Sequence, residues 1–364
     1  MKEILLMLLM VCLFVSCKKQ VADEPTPQNN TLYFPPSNSD TWESITPQSL
    51  GWNTNEINSL YSFLEQKNTR AFLVLKDGKI VLEKYFGNDI QNRPFTNKSL
   101  WYWASAGKTL TAFLVGKAQE EGFLKISDRT SQYLGRGWTR LTNQQEDAIT
   151  IRHQLTMTSG LNDNVADRDC TRPECLQYLA PAGSRWAYHN APYTLLEKVV
   201  STATKQSFNN YFNKVLGNKI GMEGSWLSID FNNVYFSPPR AMARFGLLIL
   251  NKGKWDKEVI MQDQEFFTQM INTSQNLNLS YGYLWWLNGK TSTMIPYLQT
   301  VFPRSLTQNA PMDMFAAMGK NGQLLNIVPS KNLIMIRMGE NPDVGDVPFT
   351  IQEEIWERLN KIIK

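Results

Sequence analysis

A serine and a lysine three residues apart, Ser105 and Lys108, are the pair in this chain whose types and spacing most directly suggest chemistry. They lie in Trp103-Ala104-Ser105-Ala106-Gly107-Lys108-Thr109, just ahead of the periodic apolar positions Leu110, Phe113, Leu114 and Ala118. This pattern predicts a helix with Ser105 at its N-terminus. Residues three apart share a helix face, which brings the lysine amine within reach of the serine hydroxyl. Serine is a poor nucleophile until a base takes its proton, and lysine serves as that base only when its pKa is lowered. A helix N-terminus and partial burial among Trp101, Tyr102 and Trp103 both disfavour the ammonium form. The same terminus offers the Ser105 N–H to a developing oxyanion. The alternative Gly-x-Ser-x-Gly elbow is absent. The spacing alone does not decide the matter. Ser16-Cys17-Lys18-Lys19 repeats it, and a helix-capping serine followed by a solvated lysine fits Ser105 equally well.

The elements that must hold such a pair are legible at both ends of the chain. A helix start at Asn53-Thr54-Asn55-Glu56 precedes Ile57, Leu60, Tyr61 and Leu64. The period then changes: Ala71 to Leu75, a Lys76-Asp77-Gly78-Lys79 turn and Ile80 to Tyr85 form a hairpin signal, because Asp-Gly supplies the positive φ that tight turns need. Helical patterns run through Thr109 to Gly122, Ala191 to Thr204 and Pro239 to Asn251. Strand-like runs return at Tyr283 to Leu287, Leu324 to Val328 and Leu333 to Met338, before a last amphipathic helix at about Thr350 to Ile363. The expected fold class is α+β: an antiparallel sheet shared by early and late strands and flanked by helices, with a mainly helical region inserted. No internal repeat interrupts this plan.

Composition narrows the function classes. With 364 residues, 42% of them apolar, and 37 basic against 33 acidic side chains, the chain reads as a folded protein whose charges are interspersed. No single-sign patch of the kind that binds a phosphate backbone is present, so nucleic acid is not an expected partner. The four cysteines and two histidines, His153 and His189, lack metal-ligand spacing, and neither a metal nor a cofactor is expected.

Several further segments, in order, resemble the β-lactamase-related serine hydrolases, the penicillin-recognising family. Ile149-Thr150-Ile151-Arg152-His153-Gln154-Leu155-Thr156-Met157-Thr158-Ser159-Gly160-Leu161 is similar to that family's "ITIRHLLTHTSGL" segment, with Met157 where the family has histidine, a variation that looks like its nylon-oligomer hydrolase and esterase branch. Pro181-Ala182-Gly183-Ser184-Arg185-Trp186-Ala187-Tyr188-His189-Asn190 resembles "PG-x-x-F-x-Y-S-N", which implies Tyr188 as a proton carrier, held partly as phenolate beside the lysine, and Asn190 as a substrate contact. Lys320-Asn321-Gly322 resembles the third motif, a basic residue, any residue, then glycine. Many relatives have His-Gly-Gly there, so Lys320 and Asn321 depart from them. The analogy makes Lys320 and Gly322 substrate-binding residues and the Gln323 N–H the second oxyanion donor. Arg240 to Leu250 and Tyr281 to Trp286 are weaker echoes. The resemblance covers about 70 to 340 and implies the β-lactamase-like fold.

The N-terminus reads as an address. Ile4 to Val15 is an unbroken apolar run, too short for a membrane span but suited to an export signal. Phe14-Val15-Ser16-Cys17 resembles the lipobox of bacterial lipoproteins, which implies that Cys17 is acylated. An ordinary signal peptide is the alternative. The expected organisation is an export signal over 1–16, a lipidated N-terminus and flexible tether over 17–45, and a hydrolase domain over 46–364. Within that domain the α/β part takes about 46–104 and 280–364 and the helical part about 105–279. In an exported protein Cys170 and Cys175 can pair, shaping a loop. The chain is thus expected to be an exported monomer, held at a bacterial membrane by its N-terminal lipid alone. Its expected activity is cleavage of a small ester or amide through an acyl-enzyme on Ser105. The aromatic cluster Trp101, Trp103, Trp186, Trp285 and Trp286 favours such substrates over β-lactams. A β-lactamase or D,D-peptidase, and a non-catalytic surface binding protein that keeps the cleft, are the rival readings.

Overall fold

The Asp77-Gly78 turn adopts the conformation its composition predicts, with φ of 51° and 83°, and folds β1 (Thr69–Lys76) back on β2 (Lys79–Tyr85). In this computed structural model, which describes residues 32–342 and 348–363, the hairpin is one end of a six-stranded antiparallel sheet. The late strands β8 (Trp286–Leu287), β9 (Phe315–Gly319), β10 (Gln323–Val328) and β11 (Leu333–Gly339) complete it in the order β2-β1-β11-β10-β9-β8. Early and late strands therefore meet at the β1–β11 ladder, where Leu73 pairs with Ile336.

Helices cover both faces of this sheet. On one side α1 (Ile57–Gln66) lies along β1, beside α4 (Phe349–Ile362). Asn53 caps the 3-10 turn Thr54–Glu56 that runs into α1, its side chain accepting from the Asn55 N–H. Trp356 of α4 donates its indole N–H to Asn326 of β10 at 2.8 Å. The next side chain back along β10, Leu325, points to the opposite face, where α3 (Pro239–Leu250) packs so closely that a Cβ at Gly246 would sit 2.8 Å from Leu325 Cδ1. Covered on both faces, β10 and β11 are wholly buried, which is why they read as continuous apolar runs instead of alternating ones.

The region between β2 and β8 is built around α2 (Lys108–Glu120), buried from Lys108 to Ala118. Alongside the helices expected of a mainly helical insert, this region contains a small second sheet of order β3-β5-β4: β3 (Trp101–Tyr102), β4 (Ser225–Ile229) and β5 (Asn232–Ser237). A small hairpin, β6 (Lys254–Trp255) with β7 (Glu258–Val259), follows α3.

The expected tether is also shorter than 17–45. Phe34 packs edge-on against Trp255 at 5.2 Å. Trp42 donates to the Gly78 carbonyl, and Arg244 holds the carbonyls of Pro36 and Ser39. Residues 32–45 thus belong to the folded body, since their aromatic and backbone groups find partners on it. The export signal and Cys17 lie outside the described residues. Among the described residues no helix is long and apolar enough to cross a membrane.

Candidate active site

Ser105 sits in a 3-10 turn, Ala104–Gly107, that runs into α2. Its N–H, near the start of the turn, has no partner within the helix. The residue before it, Ala104, has a φ of 47°, a left-handed conformation that a non-glycine residue keeps only when its surroundings enforce it. Those surroundings are the fixed Trp103, whose N–H donates to the Tyr235 carbonyl and whose indole donates to Ser237. The second sheet therefore anchors the turn that carries Ser105.

The Lys108 amine donates to Ser105 Oγ at 2.8 Å. The lysine is 3% exposed, and its amine lies 5.0 Å from the Tyr188 ring centroid and 4.2 Å from that of Tyr193. Burial lowers its pKa to about 7, with the Asp169 carboxylate acting against the shift. At neutral pH a large share of the molecules thus carry a neutral amine beside the serine.

Tyr188 is stacked on Trp286 at 5.7 Å and meets Tyr281 edge-on at 6.3 Å. Burial pushes its hydroxyl well above the ordinary phenol range, opposed by its interaction with the Ser105 hydroxyl. Burial thus works against the expected phenolate character and favours the neutral phenol. The segment Ile149–Leu161 carries no group into the site. It is a shelf: Thr150 and His153 close its helix with a capping box, Met157 with φ 58° accepts from the Ala187 N–H, and Gln154 reaches the Pro192 carbonyl.

A cavity of about 430 Å³ opens over the serine, its walls including Ser105, Asp169, Tyr188, Asn190, Tyr297 and Lys320. Of the residues singled out from the sequence, Ser105, Tyr188, Asn190 and Lys320 line it, and Lys108 lies directly behind Ser105. Gly322 and Gln323 do not. Gln323 opens β10, pairs with Gly319 across the ladder and turns its amide onto the Gly339 backbone. Gly322, at φ 77°, faces Arg337: a Cβ there would lie 2.1 Å from the guanidinium. Arg337 in turn holds the carbonyls of Asn321 and Gly322. The turn between β9 and β10 thus points its end residues into the sheet and leaves only its entry, Gly319 and Lys320, on the cavity. The five tryptophans expected near the substrate are buried core or lie behind Tyr188. The aromatic residues of the cavity wall are Tyr188 and Tyr297.

Gly319 was not legible as a site residue. A Cβ there would stand 2.4 Å from the Trp103 carbonyl and 3.1 Å from the Ser105 nitrogen, so only glycine lets β9 approach the nucleophile turn this closely. Gly319→Ala is expected to lower the rate of covalent labelling at Ser105 by at least about 10-fold, because displacing a nucleophile by even an ångström carries a cost of that order. Unchanged labelling kinetics would show that the contact is dispensable.

Asp169 and Arg168, also unread in the sequence, come from the segment that leads into the Cys170–Cys175 disulfide. Arg168 lies over the Tyr297 ring at 4.1 Å and donates to the Asp163 carbonyl. No spacing signal links that loop to the serine.

The family model described as beta-lactamase matches residues 64–343. The chain belongs to the β-lactamase family. Among solved structures, this β-lactamase-family protein is similar to a Bacillus anthracis protein assigned by name to the 6-aminohexanoate-dimer hydrolases (TM-score 0.65, 18% identity, 91% of each chain covered). It is also similar to a penicillin-binding protein homologue from Pyrococcus abyssi (TM-score 0.59, 15% identity, 79% of this chain and 74% of that one). These likenesses concern the fold. Among curated proteins it is 27% identical over 161 residues to PbpX of Bacillus subtilis, named as a penicillin-binding protein, covering 41% of this chain and 39% of that one. It is also 27% identical over 155 residues to the protein flp of Staphylococcus aureus, covering 39% of this chain and 31% of that one. The matches thus span well under half the length of those curated relatives.

Proposed function

We propose that this family member is an exported serine hydrolase that cleaves a small ester or amide through an acyl-enzyme on Ser105. The observation that carries the reading is the 2.8 Å contact of a buried, pKa-lowered Lys108 with Ser105 Oγ at the floor of an open cavity. The neutral amine takes the serine proton as Oγ bonds to the carbonyl carbon. The Ser105 N–H is one oxyanion donor. The Lys320 N–H is assigned as the second, in place of Gln323. The Asn288 N–H donates to the Met314 carbonyl on the β8 side of β9. By strand alternation the backbone groups of Ala316 and Met318 face that same side, and the extended Gly319 carries the Lys320 N–H onto it, which beyond the short β8 is the cavity. As the intermediate collapses, Tyr188 passes a proton to the leaving oxygen or nitrogen and regains one from the Lys108 ammonium, so the serine proton ends on the leaving group; water later releases the acyl group by the reverse sequence.

Asp167, Arg168, Asn190 and Lys320 around the opening suit short, polar acyl groups. The Cys170–Cys175 disulfide supports a compartment outside the cytoplasm, consistent with acylation at Cys17 and attachment by that lipid to a bacterial membrane. The site is built within one chain, as a monomer requires. The test is a panel of nitrocefin, a D-Ala-D-Ala peptide, p-nitrophenyl acetate and a short acyl amide. Turnover of the ester and amide with little effect on the other two is expected. Faster hydrolysis of nitrocefin or the peptide would assign the site to β-lactams or cell-wall peptides, and labelling without turnover on any substrate would make it a binding protein.

A further inference from the structure

Asn190 is one of the cavity's polar walls, and its amide is held from one side. Its Nδ2 donates to Asp169 Oδ1 at 2.7 Å, while its carbonyl oxygen is buried with no hydrogen-bond partner. An ionised carboxylate only accepts, so this contact fixes which end of the amide faces Asp169. Asp169 is itself tied down. Its Oδ2 accepts from Asn232 Nδ2, at the start of β5, at 3.0 Å, and its own N–H donates to Asp167 Oδ1. The Arg168 carbonyl accepts from the Ala191 N–H, next to Asn190, and Cys170 closes the loop onto Cys175.

We propose that Asp169 is a positioning residue for this active site: it locks the Asn190 amide in one orientation and sets the electrostatic field in which Lys108 exchanges its proton. This rests on the serine-hydrolase reading above and extends it to a residue on a separate loop, next to the disulfide cysteine Cys170. The groups around the Lys108 amine are the Ser105 hydroxyl and the neutral rings of Tyr188 and Tyr193. Asp169 lines the same cavity as Ser105, which the Lys108 amine contacts, and its carboxylate opposes the lowering of the Lys108 pKa; the other charged groups of the cavity wall are Asp167, Arg168 and Lys320. A negative charge favours the ammonium form, so its loss makes the amine easier to deprotonate.

The experiment measures the second-order rate of Ser105 labelling by a fluorophosphonate probe from pH 5 to 9, together with kcat and KM for p-nitrophenyl acetate. Asp169→Asn keeps an oxygen that can accept from Asn190 but removes the charge. The inflection in the labelling profile should move to lower pH by about half a unit or more, with kcat reduced less than in Asp169→Ala. Asp169→Ala removes the hold as well, and kcat should fall at least about 10-fold while KM changes little. An unmoved inflection in Asp169→Asn, with equal losses in both variants, would show a merely structural residue and overturn the proposal while leaving the serine-hydrolase reading intact. Absence of labelling in the wild-type protein would overturn both.

Discussion

Ser105→Ala is expected to abolish covalent labelling and to lower hydrolysis of the best substrate by at least about 10⁴-fold, the scale seen when a covalent nucleophile is removed. The substitution removes the oxygen that the buried Lys108 amine contacts but leaves the frame of the turn in place. Trp103 keeps its bonds to Tyr235 and Ser237, and Gly319 still abuts the turn. The variant should therefore stay folded, its thermal transition moved by no more than a few degrees, the effect of one buried donor losing its partner. Intact-mass measurement after exposure to a fluorophosphonate checks the point. Equal adducts on wild type and Ser105→Ala would place the reactive group elsewhere.

Lys108→Met is expected to lower the same activity by about 10²–10⁴-fold, the usual contribution of a general base, and at the same time to raise stability. Burial lowers the Lys108 pKa in the folded chain to about 7, against the ordinary lysine value near 10.4 in the unfolded one. Between those values the unfolded chain binds more protons, so stability rises with pH across the window and the cost of the buried charge is fully present below about pH 7. Each unit of displacement corresponds to roughly 1.4 kcal/mol. Methionine fills a similar volume without a charge, so Lys108→Met should melt several degrees higher than wild type at pH 6, with the difference fading towards pH 10. A variant no more stable than wild type at pH 6 would show that Lys108 does not carry this cost. The wild-type activity should itself rise with pH through an inflection near 7, because the amine works only when deprotonated.

Much of this site was readable because its groups come from local patterns. Ser105 and Lys108 are set by helix spacing, and Tyr188 and Asn190 by a segment with a recognisable order. The sheet was equally plain where hydrophobic runs and the Asp77-Gly78 turn speak directly. What escaped is non-local. The second sheet went unread because β4 and β5 are short, with few buried positions, and its role in holding Trp103 appears only in three dimensions. Gln323 was misplaced because the direction of an N–H at a strand end depends on the pairing register, which a one-residue difference reverses. Asp169 sits in a polar loop with no periodicity, and its link to Asn190 is made through space alone.

The sheet joins the two ends of the chain, and this has a consequence for when the enzyme comes alive. Ser105 and Lys108 emerge from the ribosome well before β9 and Lys320, and synthesis is slow compared with local helix formation. An unfinished chain therefore carries the reactive motif without the strand that abuts its turn or the donor that completes its oxyanion site. Closing that sheet is a long-range step, late by the logic of chain entropy. On the proposed mechanism, the serine is thus dormant throughout the chain's manufacture, and activity arrives only with the last strands.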